Sequence, residues 1–374
     1  MSQSYRPPDF REPTLAAAPE ARFVPAPADG VLPEGFFATT NLPTYVKRDR
    51  AWVMPRYPRM DGAIVQRDDG SLEVLEGRYV VAGQPVAVGR AEDGSEGIFV
   101  HATGFVTGSQ GEQFAFMRSE VSREKPVDYA EMARLLVTER RRGGHIVWVV
   151  GPAVLHARGR DAVIWFIQNG FVNALLGGNA VGVHDIEQAL MGTTLGMDRN
   201  GRPVPGGHSF HMRAINQVAS AGSIAAAVEN GVLREGIMHA CVTHDVPFVL
   251  AGSIRDDGPL PDTVTDVVIG QERMREHAKR TTLTIMIATA LHSIGFGNML
   301  PSYFVDADGA LQPLTTIAVD SSEFVVSKLK DRGTHQAFGV ITNAQDFLHV
   351  LKHFVEREVE SEADVTPLTE RLPA

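Results

Sequence analysis

Arg140-Arg141-Arg142-Gly143-Gly144-His145-Ile146-Val147-Trp148-Val149-Val150-Gly151-Pro152 is the stretch that decides the class of this chain. Upstream of it, Asp128 to Arg142 carries apolar residues at helical spacing, and the Gly143-Gly144 pair ends that helix. Ile146 to Val150 then runs apolar without interruption. A strand with no polar face is buried on both sides, and such strands belong to parallel sheets covered by helices. Helix, glycine stop and doubly buried strand together make one step of an alternating α/β chain.

The same step recurs downstream. Ala174 to Leu176, Phe248 to Leu250, Leu283 to Ile287, Thr316 to Val319 and Phe338 to Ile341 read as further strands. Helical patterns fall between most of them, at Arg160 to Asn169, Thr263 to Arg280, Phe324 to Asp331 and Ala344 to Glu358. The expected fold is α/β, with a doubly wound, mostly parallel, Rossmann-like sheet over residues 126–360. Ahead of it, residues 29–125 carry short apolar runs split by Gly, Pro and Asp, which predicts a small β-rich domain. Asp69-Gly70, between Ala63-Ile64-Val65 and Leu72-Glu73-Val74-Leu75, is its strongest hairpin signal. Residues 1–28 hold Pro7, Pro8, Pro13, Pro19, Pro25 and Pro27, which disfavour regular structure, so a flexible or surface-hugging tail is expected there. A second tail is expected at 361–374.

The chain has 374 residues, enough for two domains. With 44% hydrophobic and 21% charged residues it is neither disordered nor fibrous. A net charge of -10 repels phosphate backbones, which argues against nucleic acid as a partner. One cysteine, Cys241, makes neither an internal disulfide nor a Cys-rich metal site, and suits a reducing cytoplasm. No apolar run approaches the ~18 residues that span a bilayer, and no apolar signal core opens the sequence. A cytoplasmic protein with no membrane partner is therefore expected.

Open α/β sheets bind ligands beyond the carboxyl ends of their strands. The residues there are Gly151-Pro152-Ala153, Gly177-Gly178-Asn179, Ala251-Gly252-Ser253, Leu291-His292 and Asp320. Glycines and helix amides suit a pyrophosphate, and a carboxylate such as Asp320 suits ribose hydroxyls. The usual GxGxxG spacing is absent, and the glycines could equally serve tight turns. Arg255-Asp256-Asp257-Gly258-Pro259-Leu260-Pro261-Asp262 is the densest polar cluster. It could hold an ammonium or raise one carboxyl's pKa for use as a base, or be a solvated loop whose Asp262 caps the next helix. His292 is a candidate proton carrier or a satisfied core histidine. Arg213 with Asn216 could hold a carboxylate. His208 and His211 have short metal-ligand spacing but no third ligand, so no metal is expected.

Taken together, five segments carry a resemblance: Ala26 to Val31, Thr39 to Thr44, Gly178 to Glu187, Val246 to Asp262, and Leu291-His292-Ser293 with Gly297-Asn298-Met299-Leu300-Pro301. The chain resembles the archaeal-type ornithine cyclodeaminase family, which also forms the C-terminal part of cyanobacterial arginine dihydrolase/ornithine cyclodeaminase proteins. The family's dinucleotide domain is similar to that of deoxyhypusine synthase. The resemblance implies NAD as cofactor and an ammonia-releasing cyclisation of L-ornithine, or a related diamino acid, to L-proline or its analogue. On this chain it implies Gly151, Pro152, Ala153, Gly178, Asn179, Ala180 and Asp320 as cofactor contacts. Asp262, Asp257 and His292 are the implied proton-handling residues, and Asn41, Glu120, Arg213, Asn216 and Asn298 the implied substrate contacts. It further implies a homodimer or homotetramer. The turn after Asp320 reads Ser321-Ser322-Glu323 where the family has Ile-Asn-Pro, so another diamino acid stays open as substrate. Two other functions compete. A deoxyhypusine-synthase-like transferase would need a carrier lysine, for which only Lys328 and Lys330 are near, and a non-catalytic NAD or amino-acid sensor would not need the acidic cluster that is intact here.

Overall fold

A computed structural model describes residues 5–105, 127–155, 159–198, 200–256, 258–331 and 336–364. As far as they are described, the residues fall into two compact units, one of 1–124, 297–315 and 332–336, the other of 125–296, 316–331 and 337–374.

The second unit is built on seven strands: β1 (His145–Val150), β2 (Ala174–Gly178), β3 (Phe248–Ala251), β4 (Thr263–Val264), β5 (Thr281–Ile287), β6 (Thr315–Asp320) and β7 (Gln336–Ile341). Their spatial order is β4-β3-β2-β1-β5-β6-β7. The β1–β2, β2–β3, β3–β4 and β1–β5 pairs are parallel, with Trp148 opposite Leu175 on one side and Ile285 on the other. The expected doubly wound sheet is the one observed. The helix Tyr129–Arg141 begins where Asp128 accepts a hydrogen bond from the Glu131 N–H at 2.8 Å, and it ends before Gly143, whose φ of +71° reverses the chain at little steric cost. Residues 146–150 are fully buried. Trp148 packs on Phe166 at 4.9 Å and satisfies its indole N–H on the Phe171 carbonyl at 3.0 Å. Truncating such a side chain costs about 3–5 kcal/mol.

One reading of this unit needs correction. The pattern read as one helix over Thr263 to Arg280 is the edge strand β4 followed by a helix Val267–Ala278, capped not by Asp262 but by Asp266, which accepts from the Val268 and Ile269 N–H groups. His292 follows the strand β5 as expected, in the first turn of the helix Ala290–Met299.

The first unit is β-rich, as expected. Arg22–Pro25, Pro85–Val88, Ala63–Gln66 and Leu72–Leu75 form a four-stranded sheet in that order, and Ala51–Val53, Thr44–Arg48 and Ile98–Val100 a three-stranded one. The Asp69-Gly70 hairpin is present, with Ile64 opposite Val74 and Gly70 at φ +82°. The proline-rich segment is not a loose tail over its described part. Arg22–Pro25 pairs antiparallel with Pro85–Val88 at the sheet edge, where a proline lacking its N–H is tolerated. Leu15 is buried, and the Lys47 ammonium donates to the carbonyls of Leu15, Ala16 and Ala18 at 3.3, 2.8 and 2.7 Å, tying down the one-turn helix Pro13–Ala16. This unit also takes up residues 297–315, with the ribbon Tyr303–Val305 and Leu311–Pro313. At the other end, the helix Ala344–Asp364 carries regular structure past residue 360, where a tail was expected.

Candidate functional site

From β1 the chain moves one way to β2, and later returns to β5 on the other flank of β1. That reversal makes the carboxyl ends of β1 and β5 the switch point of the sheet, the place where such sheets bind ligands. Close fitting is visible there. The Gly151 N–H donates to the Ile287 carbonyl at 2.9 Å, and a Cβ on Gly151 would stand 1.8 Å from the Ala288 carbonyl oxygen. Only glycine fits, but the space it leaves is filled by the next strand's turn. Ala288 itself adopts φ +57°, a left-handed conformation that costs an alanine about 1–2 kcal/mol, while its N–H donates to the Val319 carbonyl of β6 at 3.0 Å. Strained backbone of this kind concentrates at functional sites.

The strained turn delivers His292. Its Nδ1 lies 3.0 Å from the Thr289 hydroxyl, and its other edge meets β2: a Cβ on Gly178 would be 2.8 Å from Cε1 and 3.2 Å from Nε2. Burial pushes the imidazole below its usual range, with the nearby Asp256 carboxylate opposing that effect. At neutral pH the ring is therefore neutral and able to take a proton.

Gly178 also precedes the helix Asn179–Met191, whose first turn has no side-chain cap. Its N–H groups suit an anion. Gly182 allows the helix to lie close on the sheet, since a Cβ there would be 2.7 Å from a Leu250 methyl. Asn179 uses its carbonyl oxygen inward, accepting from the Leu260 N–H at 3.0 Å and the Thr263 hydroxyl at 2.9 Å, so it anchors the acidic loop after β3. Asp320 closes β6 half-buried, with one carboxylate oxygen accepting from the Ser322 N–H at 2.9 Å. Pro152 and Ala153 open a short 3-10 turn, and the Ala153 carbonyl accepts from the Gln345 side chain. Ala180 sits in the uncapped first helical turn.

The acidic loop divides its work. Asp256 accepts from the Ser253 N–H at 2.7 Å and acts electrostatically on His292. Asp262 accepts from the Ile224 N–H at 2.8 Å, where the helix Ile224–Glu229 begins. Asp257 lies outside the described residues, as does Glu120. Arg213 and Asn216 stand on the exposed side of the helix Phe210–Ala221, Arg213 over the Phe210 ring at 5.7 Å. No hydrogen bond among the described residues joins them to His292. Lys328, the alternative carrier, lies over the Phe324 ring at 4.2 Å. Among the described residues no cluster of three His, Cys, Asp or Glu side chains could hold a metal, and no helix is long and apolar enough to cross a membrane.

In the first unit, the Ser302 N–H donates to the Asn41 carbonyl at 2.8 Å. Asn298 Oδ1 and Ser302 Oγ are buried there without a hydrogen-bond partner, which is costly unless a ligand or water supplies one. Sequence reasoning named Asn41 and Asn298 but missed Ser302. It also missed Ala288 and Thr289, for which an alanine in a left-handed turn leaves no sequence signal. A third omission is the buried pair formed by Arg160 and Asp185, 2.7 Å apart. Asp185, fully buried, also accepts from the Ile237 and Met238 N–H groups at 2.9 and 2.8 Å.

The family described as arginine dihydrolase ArgZ-like, C-terminal, Rossmann fold, matches residues 130–351, and its first region matches residues 43–130. An ornithine cyclodeaminase of Methanopyrus kandleri is 46% identical over 349 residues, covering 92% of this chain and 80% of that protein. A conserved LOR/SDH protein from Methanococcus maripaludis, solved by crystallography, superposes with a TM-score of 0.81 at 40% identity, covering 91% of this chain and 99% of that one. The ternary complex of AgrE with ornithine and NAD+ superposes with a TM-score of 0.58 at 36% identity, covering 92% of this chain and 47% of that one.

Proposed function

We propose a function from one premise: the chain belongs to the ArgZ-like C-terminal family, together with the archaeal ornithine cyclodeaminases. It is an NAD-dependent cyclodeaminase that converts L-ornithine, or a related diamino acid, to L-proline or the corresponding cyclic amino acid with release of ammonia. The observation that carries this reading is the half-buried His292 held at the switch point of a Rossmann sheet, between the β5 turn and Gly178.

The residues present fit NAD. The uncapped amides of Asn179 and Ala180 suit the pyrophosphate and Asp320 the ribose hydroxyls, with Gly151, Pro152 and Ala153, in the turn that follows β1, as further proposed contacts. Bound NAD+ supplies the oxidant for the amino acid's Cα and, once reduced, the reductant for the cyclic imine, so no net redox change results. The chain's own groups move protons and hold the amines. The α-ammonium must lose a proton before Cα can be oxidised, and His292 Nε2 accepts it. The δ-ammonium gives up a proton to a carboxylate of the acidic loop, the freed δ-amine attacks the imine carbon, and ammonia departs from the same carbon, with His292 returning its proton to the leaving amine. Asp256, with Asp257 and Asp262 on the same loop, supplies the negative charge that suits a doubly cationic substrate. Asn41, Asn298, Arg213, Asn216 and Glu120 remain proposed substrate contacts, of which Asn298 offers a buried oxygen still lacking a donor.

The purified protein is incubated with NAD+ and ornithine deuterated at Cα. Ammonia and proline form, deuterium is retained at Cα, and reduced cofactor does not accumulate. Stoichiometric reduced cofactor, or washout of the label, overturns the reading in favour of a simple dehydrogenase or an elimination. We further propose a homodimer or homotetramer in the cytoplasm, in line with the usual closed symmetry of such enzymes and a buried, reduced Cys241. Light scattering that gives a monomer refutes the assembly.

A further inference from the structure

The turn out of β5 contains a residue whose chemistry the reaction above leaves unused. Thr289 lies between the strained Ala288 and the helix Ala290–Met299, its hydroxyl 3.0 Å from His292 Nδ1. The imidazole thus has one nitrogen held by its own turn and the other presented across the gap at the Cβ-less edge of Gly178. Resting on the proposed function, we propose that Thr289 is the positioning residue for His292: it accepts the Nδ1–H and thereby reserves Nε2 as the nitrogen that exchanges a proton with the substrate amine.

A neutral imidazole carries one N–H, and its partner decides which nitrogen bears it. With Nδ1–H donated to the Thr289 oxygen, Nε2 keeps a free lone pair. When Nε2 takes the proton from the α-ammonium, the N–H bond broken on the substrate is replaced by one on Nε2, and the Nδ1–H···Oγ1 bond survives unchanged. The ring gains no new orientation during the transfer, which is what an efficient general base requires. The hydroxyl also steadies the cationic form in a half-buried place, alongside the Asp256 carboxylate. The backbone supports the same assignment. Gly151 leaves room for the Ala288 carbonyl, and the left-handed Ala288 turns the chain so that Thr289 and His292, three residues apart, face one another.

The test uses the full chain with NAD+ and two substitutions. Thr289→Val keeps the shape beside Gly151 but removes the hydroxyl, and Thr289→Ser keeps the hydroxyl. Ring-labelled histidine followed by nitrogen NMR, with His292 assigned by its loss in His292→Gln, reads tautomer and titration directly. Wild type shows the proton on Nδ1. Thr289→Val loses that tautomer preference and titrates lower, its acid limb of kcat moves to lower pH, and kcat falls about tenfold with KM little changed, while Thr289→Ser restores most of the rate. A wild-type ring protonated on Nε2, or a Thr289→Val protein with unaltered His292 resonances, overturns the proposal even if ornithine is turned over. Equal loss of rate in Thr289→Ser and Thr289→Val also overturns it. A wild-type protein that holds the Nδ1–H tautomer, loses it in Thr289→Val, yet releases ammonia from no diamino acid supports the positioning and overturns the proposed function alone.

Discussion

Gly178→Ala separates the chemistry from the fold. Gly178 has φ -95° and ψ 167°, a conformation that alanine adopts freely, so the backbone does not object. The new methyl would stand 2.8 Å from His292 Cε1, against the ~3.5–4.0 Å of a relaxed carbon contact. The shortfall is about 0.7–1.2 Å. It must be taken up by the imidazole, because the other neighbour, the Ala251 carbonyl, is already at an ordinary 3.7 Å. A ring on rotatable bonds can retreat, so the stability cost stays at the low end of overpacking, about 1 kcal/mol. The catalytic cost is larger, since a displacement of about 1 Å at a reacting group costs on the order of 10²-fold, or nearly 3 kcal/mol of transition-state stabilisation. The assay is steady-state ammonia release at saturating NAD+, alongside thermal unfolding and NAD+ affinity. A folded Gly178→Ala protein with kcat within about threefold of wild type would show that His292's place against β2 is not what the reaction depends on.

Three further outcomes follow from the same geometry. Asp185→Ala leaves the buried Arg160 with the more exposed Glu235 carboxylate, 3.3 Å away, as its remaining ion-pair partner and uncaps two helix N–H groups, so urea unfolding should register a loss of about 3–5 kcal/mol with kcat per folded molecule unchanged; a loss below about 1 kcal/mol refutes the pair's structural role. Asp262→Asn keeps an oxygen for the Ile224 N–H but no base: a fall of about 10²-fold or more supports proton transfer at Asp262, whereas near-normal activity reduces it to an anchor for the helix Ile224–Glu229. Burial, with Arg280 and His277 adding to it, depresses His145 to about 4, against about 6.5 when unfolded. The unfolded chain therefore binds more protons between those values, and the stability that neutral His145 contributes is complete above about 6.5 and lost as the pH falls toward 4. His145→Gln should flatten the acid decline of the unfolding midpoint, and an unaltered decline assigns it to other groups.

Much of the fold was open to reading in the sequence because it rests on local chemistry. An apolar run such as Ile146 to Val150 can only be buried on both faces, Gly143-Gly144 can only end a helix, and Asp69-Gly70 makes the same tight turn wherever it occurs. The position of His292 just past an apolar run was also legible, and long segments such as Val246 to Asp262 were specific enough to suggest the family. Short elements and partners were not. Thr263-Val264 became a strand because β3 offered it an open edge, and the proline-rich start was held because Lys47 found three carbonyls there. Asp262 met a helix terminus thirty-eight residues earlier in the chain. The left-handed Ala288, bonded to Val319 and closed on Gly151, and the fit of His292 against Gly178 are contacts that only β1, β2, β5 and β6 lying side by side could bring about. Local propensity acts over a few residues. The geometry of a site is set by strands far apart in sequence, so sequence reasoning could nominate the residues while tertiary packing decided which of them meet.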